Sequence, residues 1–294
     1  MALRTGMSTR LGTRRSVAGV AIVCALLIGA AAVFGQGRGS RRGAPRPESF
    51  PTWTNAPGFE KDVFTFVRIQ YSSHGGGYGW RRGGGWATDH PDAEQNLAYR
   101  LQQMTSMKVN PKGEVLTISD PELFRYPFIY IVEPGRLVFE DEEVPILRRY
   151  LLNGGFLMID DFWGDDEWEN LETEIKRVFP DREIFDIPRT DPLFHCVFPI
   201  PPDLNLQLPS IGYGWERDPD GVTWETNKRY DTDTNAHIRG IRDDKGRLCV
   251  IICHNTDNGD GWEQEGMNEF YFREFSEKKA YPLGINIIFY AMTH

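Results

Sequence analysis

Apolar positions along the chain fall into two rhythms that take turns. "VFTFVRIQY", Val63 to Tyr71, is β-branched and aromatic, which predicts a strand buried on both faces. After a glycine-rich stretch, Pro91 opens a helical pattern in which Ala93, Leu97, Leu101 and Met104 form one stripe, with Asp89 or His90 near its cap. "EVLTI" and "FIYIV" predict short strands. A helix follows that begins in acids, Glu140 to Glu143, and buries Val144, Leu147 and Leu151. Asn153-Gly154-Gly155 stops it, and "FLMID" reads as the next strand. A further helix starts at Asp165, Asp166 and Glu167 with Trp168, Leu171, Ile175 and Val178 inward. Arg189 to Tyr230 has no period and reads as long loops and short strands over one edge. "HIRGIRD" and "RLCVIICH" predict a hairpin, and "YPLGINIIFYAM" a closing helix.

Strands alternating with amphipathic helices predict a mostly parallel sheet covered on both faces. In such a sheet ligands bind outside the carboxyl ends of the strands, where strand order changes. The loops of interest are therefore Ser72–Asp89, Glu133–Phe139, Asp160–Glu167 and His254–Glu263.

The N-terminus changes the picture of where this domain works. Arg4, Arg10, Arg14 and Arg15 precede an apolar run from Val17 to Phe34, the pattern of an export signal over residues 1–35. The rival reading is an uncleaved inner-membrane anchor at residues 17–35. Residues 36–58 read as a disordered Gly, Pro and Arg linker, and 59–294 as one α/β domain. Residues 1–47 hold eight arginines and no acid, so the rest carries 25 basic and 42 acidic residues, net −17. That acidity argues against nucleic acid as a partner, and against a membrane except through the N-terminal segment. The expected compartment is the periplasm or another exported location, and the expected partner an envelope ligand or protein.

Cys196, Cys249 and Cys253 remain after export, an odd number. Cys249 and Cys253 lie four apart on one strand, ~13 Å, too far to bridge and unlike a zinc spacing.

Four separated segments carry a family likeness: "WATDHPDAEQNLAYRL", "YPFIYIVEPG", "DEEVPILRRYLLNGGFLMIDDFWG" and "YPLGINIIFYAMTH". From about Asp62 to His294 the chain resembles a bacterial family known as domain of unknown function 4159. The resemblance implies a fold like the class I glutamine amidotransferases, a flavodoxin-like three-layer α/β sandwich, and no established activity. Those enzymes place a cysteine nucleophile at a sharp turn after a strand. Here "GGFLMI" runs into Asp160-Asp161 instead, so amidotransferase activity is not expected.

Two clusters are candidates for chemistry. Asp160 and Asp161 end a strand, and alternation allows at most one of them to face a cleft. His254, Asn255, Asp257, Asp260 and Glu263 follow another strand. Asp161, His254 and Asp257 would suit a divalent ion, the only cofactor the sequence suggests, while Asx residues and glycines there also make ordinary turns. If the two clusters meet at one sheet edge, the metal reading gains. In the glycine-rich loop, Tyr78, Trp80 and Trp86 could stack on a flat ligand, and Arg81 and Arg82 could hold a carboxylate, with Asp89 at its end. The competing reading is internal: the arginines neutralise the domain's own acidic edge. His195, set among apolar residues, reads as a hydrogen-bonded core or edge residue rather than a catalyst. Three functions stay open: a non-catalytic binding domain of the envelope, a metal-assisted hydrolase using Asp160 or Asp161 with His254, and an assembly protein.

Overall fold

The β-branched runs do form strands: β1 (Val67–Ile69), β2 (Ser72–Ser73), β3 (Glu114–Leu116), β4 (Phe128–Val132), β5 (Leu137–Val138), β6 (Phe156–Phe162), β7 (Phe185–Asp186), β8 (His237–Arg242) and β9 (Leu248–His254). The computed structural model describes residues 51–58, 62–74, 85–214, 223–224, 232–263 and 265–294. Seven of the strands make one sheet in the order β3-β1-β4-β6-β9-β8-β7, while β2 and β5 pair as a separate antiparallel ribbon. The first five strands of that order run parallel, and β8 and β7 extend it antiparallel. In chain order the parallel strands lie 2-1-3-4-5, the flavodoxin-like arrangement, whose reversal falls between β1 and β4.

The helices are α1 (Asp92–Met104), α2 (Glu143–Leu152), α3 (Gly164–Val178), the single turn α4 (Ile211–Gly214), α5 (Asn258–Glu263) and α6 (Glu269–Tyr271). α6 runs through a π-helical segment, Phe272–Ala280, into α7 (Tyr281–Thr293). Alternation along the strands divides the core into two layers. Phe66, Phe128, Tyr130, Met158 and Ile251 pack with Leu97 and Leu101 of α1 and with Leu283 and Ile287 of α7. Val67, Ile129, Ile131, Ile159 and Ile252 pack with Leu147 of α2 and with Leu171 and Ile175 of α3. The result is a three-layer sandwich.

Local expectations fail in instructive places. Met104, read as part of the α1 stripe, is the helix's last residue and is 51% exposed. The described part of residues 189–230 holds short helical turns rather than strands. Among the described residues no helix is long and apolar enough to cross a membrane.

Candidate functional site

The sheet's carboxyl edge is where the backbone leaves its usual conformations. Asp89 (φ 62°), Glu133 (φ 47°), Asp161 (φ 55°) and Asn255 (φ 59°) are the non-glycine residues with left-handed backbone among those described. They follow β1, β4, β6 and β9, or end them. Such conformations cost about 1–3 kcal/mol each for a side-chain-bearing residue and cluster at functional sites.

Asp161 is strained because β6 carries a bulge. Ile159 pairs with Ile252 and Phe162 with His254, so three steps on β6 answer two on β9. The extra residue breaks the alternation and turns the two adjacent aspartates to different work. Asp160 is fully buried and occupied: its oxygens accept from Asn258 Nδ2 (2.8 Å), the Gly259 amide (3.0 Å) and Tyr130 Oη (3.1 Å). Burial pushes its carboxyl up to about 6, against the pull of these donors. It anchors the start of α5. Asp161 accepts from the indole of Trp163 at 3.1 Å and faces the cleft.

Five carboxylates from three strand-end loops meet in that cleft. Asp89, Asp260 and Glu263 each place one oxygen within 4.8 Å of the others, and Asp89, Asp161 and Asp257 do the same. Asp89 belongs to both groups. Its Oδ2 is sealed from solvent and has no hydrogen-bond partner among the described residues. Gly259 lies directly beneath it: a Cβ there would stand 2.5 Å from that oxygen and displace the Asp89 carboxylate. Burial holds the Asp89 carboxyl well above the usual range, and Asp260, Glu263 and Asp161 push it further while Arg68 pulls it back. Asp257 also accepts from the Asp260 amide (2.7 Å), and Asp260 from the Ile211 amide (2.9 Å), which fixes both side chains. The turn chemistry expected of this segment therefore coexists with the cluster.

Arg68 holds the Asp89 loop in place. It is fully buried on β1, and its Nη1 donates to the carbonyls of Trp86 (2.9 Å) and Thr88 (2.7 Å), the residue before Asp89. Its Nε donates to Glu94 of α1, which His90 also contacts at 3.2 Å.

His254 does not join the site. It shares the face of Ile252, which α3 covers, and stacks on Phe162 (4.8 Å) beside Trp168. Its Nε2 donates to the Gly164 carbonyl (3.1 Å) and its Nδ1 accepts from Arg239 (3.0 Å). Burial, then Arg239, lowers its pKa to about 4. Of the expected set of Asp161, His254 and Asp257, the structure brings Asp161 and Asp257 together with Asp89, while His254 lies apart on the Gly164 carbonyl and Arg239; Asp160 points to Asn258, Gly259 and Tyr130. Trp86 packs partly buried against the α2–α3 layer, so it is no open stacking platform. Tyr78, Trp80, Arg81 and Arg82 lie outside the described residues. His195 is exposed, with its Nε2 2.9 Å from the Arg189 carbonyl oxygen.

The thiols are equally uninvolved. Cys249 and Cys253 are fully buried on β9, and burial pushes Cys249 up to about 12 and Cys253 well above its ordinary value. Cys196 is exposed. Of these three, only Cys196 is expected to react with an aromatic disulfide reagent in the native protein, the others following on unfolding. Fast native labelling of a second of the three would contradict this packing.

The cluster offers hard oxygen donors at separations that a cation with ligand distances of about 2.0–2.6 Å can span. It offers neither the imidazole nor the thiolate that zinc favours. The family model described as domain of unknown function (DUF4159) matches residues 65–292. A comparison with curated proteins finds no match.

Proposed function

We propose, for a chain that belongs to the DUF4159 family, that it is an exported binding domain on an amidotransferase-like sheet, and that it holds a divalent cation at the carboxyl edge. Calcium, magnesium or manganese would sit among Asp89, Asp161, Asp257, Asp260 and Glu263 and present open coordination positions to an oxygen-bearing ligand of the cell envelope. The observation that carries this reading is Asp89 Oδ2, a buried carboxylate oxygen without a partner among the described residues, aimed at other carboxylates. A buried charge among like charges is costly unless it is protonated or a cation joins it. The residue at the strained bulge near the end of β6 is Asp161, where an amidotransferase would need its thiol. On this reading the domain would keep the ligand edge of such a fold without its nucleophile.

The test is thermal unfolding of the purified protein with Ca²⁺, Mg²⁺ or Mn²⁺, before and after chelation. An ion at 100 times its dissociation constant stabilises by about 2.7 kcal/mol, or roughly 5–10 °C for a domain of this size. Asp89→Asn should abolish the response, and its ion-free form should melt at or above the wild-type temperature, because the substitution removes repulsion. No ion-dependent shift in wild type, or an unchanged shift in Asp89→Asn, would overturn the reading.

A further inference from the structure

Resting on that cation reading, we infer that the cleft is built for two divalent cations that share Asp89. One would lie with Asp89, Asp260 and Glu263, the other with Asp89, Asp161 and Asp257.

The arrangement of donors carries this. The two groups have only Asp89 in common, and their other members come from different directions: Asp161 from the β6 bulge, Asp257 from the turn after β9, and Asp260 and Glu263 from α5. In each group the oxygens lie within 4.8 Å of one another, a span one ion fills. Asp89 supplies the link. A carboxylate has two oxygens and can bind a different ion through each, which is how paired metal sites hold ions about 3.5–4 Å apart. Its placement is enforced by what surrounds it. Arg68 grips the Thr88 carbonyl behind it, the left-handed backbone turns its side chain inward, and Gly259 leaves room for its sealed Oδ2.

Hard cations are the class expected, since every donor is a carboxylate oxygen.

The decisive measurement is the number of Mn²⁺ ions bound, by equilibrium dialysis and by electron paramagnetic resonance, in wild type and three near-isosteric variants. Wild type should bind two ions with an exchange-coupled spectrum. Asp161→Asn should lose the ion of its own group and keep the other, and asparagine tolerates the left-handed backbone there, so the fold is preserved. Glu263→Gln should lose the other ion and keep the one Asp161→Asn loses. Asp89→Asn should bind neither tightly. Both single variants should give one uncoupled Mn²⁺ signal. One ion in wild type would overturn the paired site and leave the cation reading standing. No ion in wild type would overturn both. Loss of both ions in Asp161→Asn, with circular dichroism unchanged, would also overturn the division into two groups.

Discussion

Replacing Glu94 by alanine is expected to cost about 3–5 kcal/mol, lowering the melting temperature by roughly 6–20 °C. Arg68 explains the size. Its guanidinium is fully buried between β1 and α1, and Glu94 is the carboxylate it pairs with there. Burial alone would raise the Glu94 carboxyl, yet Arg68 and His90 hold it below its usual range, so the pair is ionised in the folded state. Deleting one partner strands the other's charge in the interior, which is far worse than removing both. The double variant Arg68→Met with Glu94→Met should therefore be less destabilised than Glu94→Ala. It will not reach wild type, because the Trp86 and Thr88 carbonyls lose their donor, at about 1–3 kcal/mol per buried group left unpaired. Chemical denaturation measures both. A cost below about 1 kcal/mol for Glu94→Ala would mean that another carboxylate, Asp89 being the nearest candidate, takes over the guanidinium. In that case the variant should also weaken ion binding, which links this pair to the cleft.

The same pair marks a boundary of what the sequence reveals. Hydrophobic rhythm was enough for the central strands, the long helices and the parallel class, because β1, β4, β6 and β9 are buried along their whole length and α1, α2 and α3 each bury one face. The carboxyl-edge rule then pointed to the loops that hold all five carboxylates of the cleft. Arg68 was overlooked, although a lone arginine inside "VFTFVRIQY" and a glutamate beside Ala93 on the α1 stripe were signals of a buried pair. The fate of Asp160 and Asp161 was only half legible. Alternation predicted that the two would point apart, but the bulge that breaks it and sets Asp161 among the other carboxylates appears only when β6 is paired with β9. The place of His254, apart from the carboxylates, was illegible for a related reason. Its parity with Ile252 was readable, whereas the face that carries α3 rather than α1 is a property of the assembled layers. Asp89 combined two readings, helix entry and ligand contact, and its backbone serves the first: its carbonyl accepts from the Ala93 amide at 3.0 Å.

Acid should destabilise the protein through His254, by about 3 kcal/mol in full and mostly between pH 6.5 and 4. The ordinary value of a histidine is 6.5, and burial with Arg239 nearby lowers this one to about 4. Between those values the unfolded chain binds a proton that the folded chain refuses. Stability is therefore complete above about pH 6.5, falls as the pH drops towards 4, and loses nothing further from this group below it. The neighbours leave little room for a charged ring. Arg239 donates to its Nδ1, and the ring of His237 on β8 stacks 6.0 Å away between Asp186 and Asp233. Phe162 and Trp168 cover the rest. Comparing wild type with His254→Phe isolates the contribution, because other acid-labile groups cancel in the difference. The variant should be weaker at pH 7, having stranded the Gly164 carbonyl and the Arg239 guanidinium, yet its stability should fall less steeply from pH 7 to 4.5. Parallel curves would show that His254 already accepts a proton when folded. A histidine able to do that could serve as an acid–base group, and the neutral, packed role assigned to it would have to be abandoned.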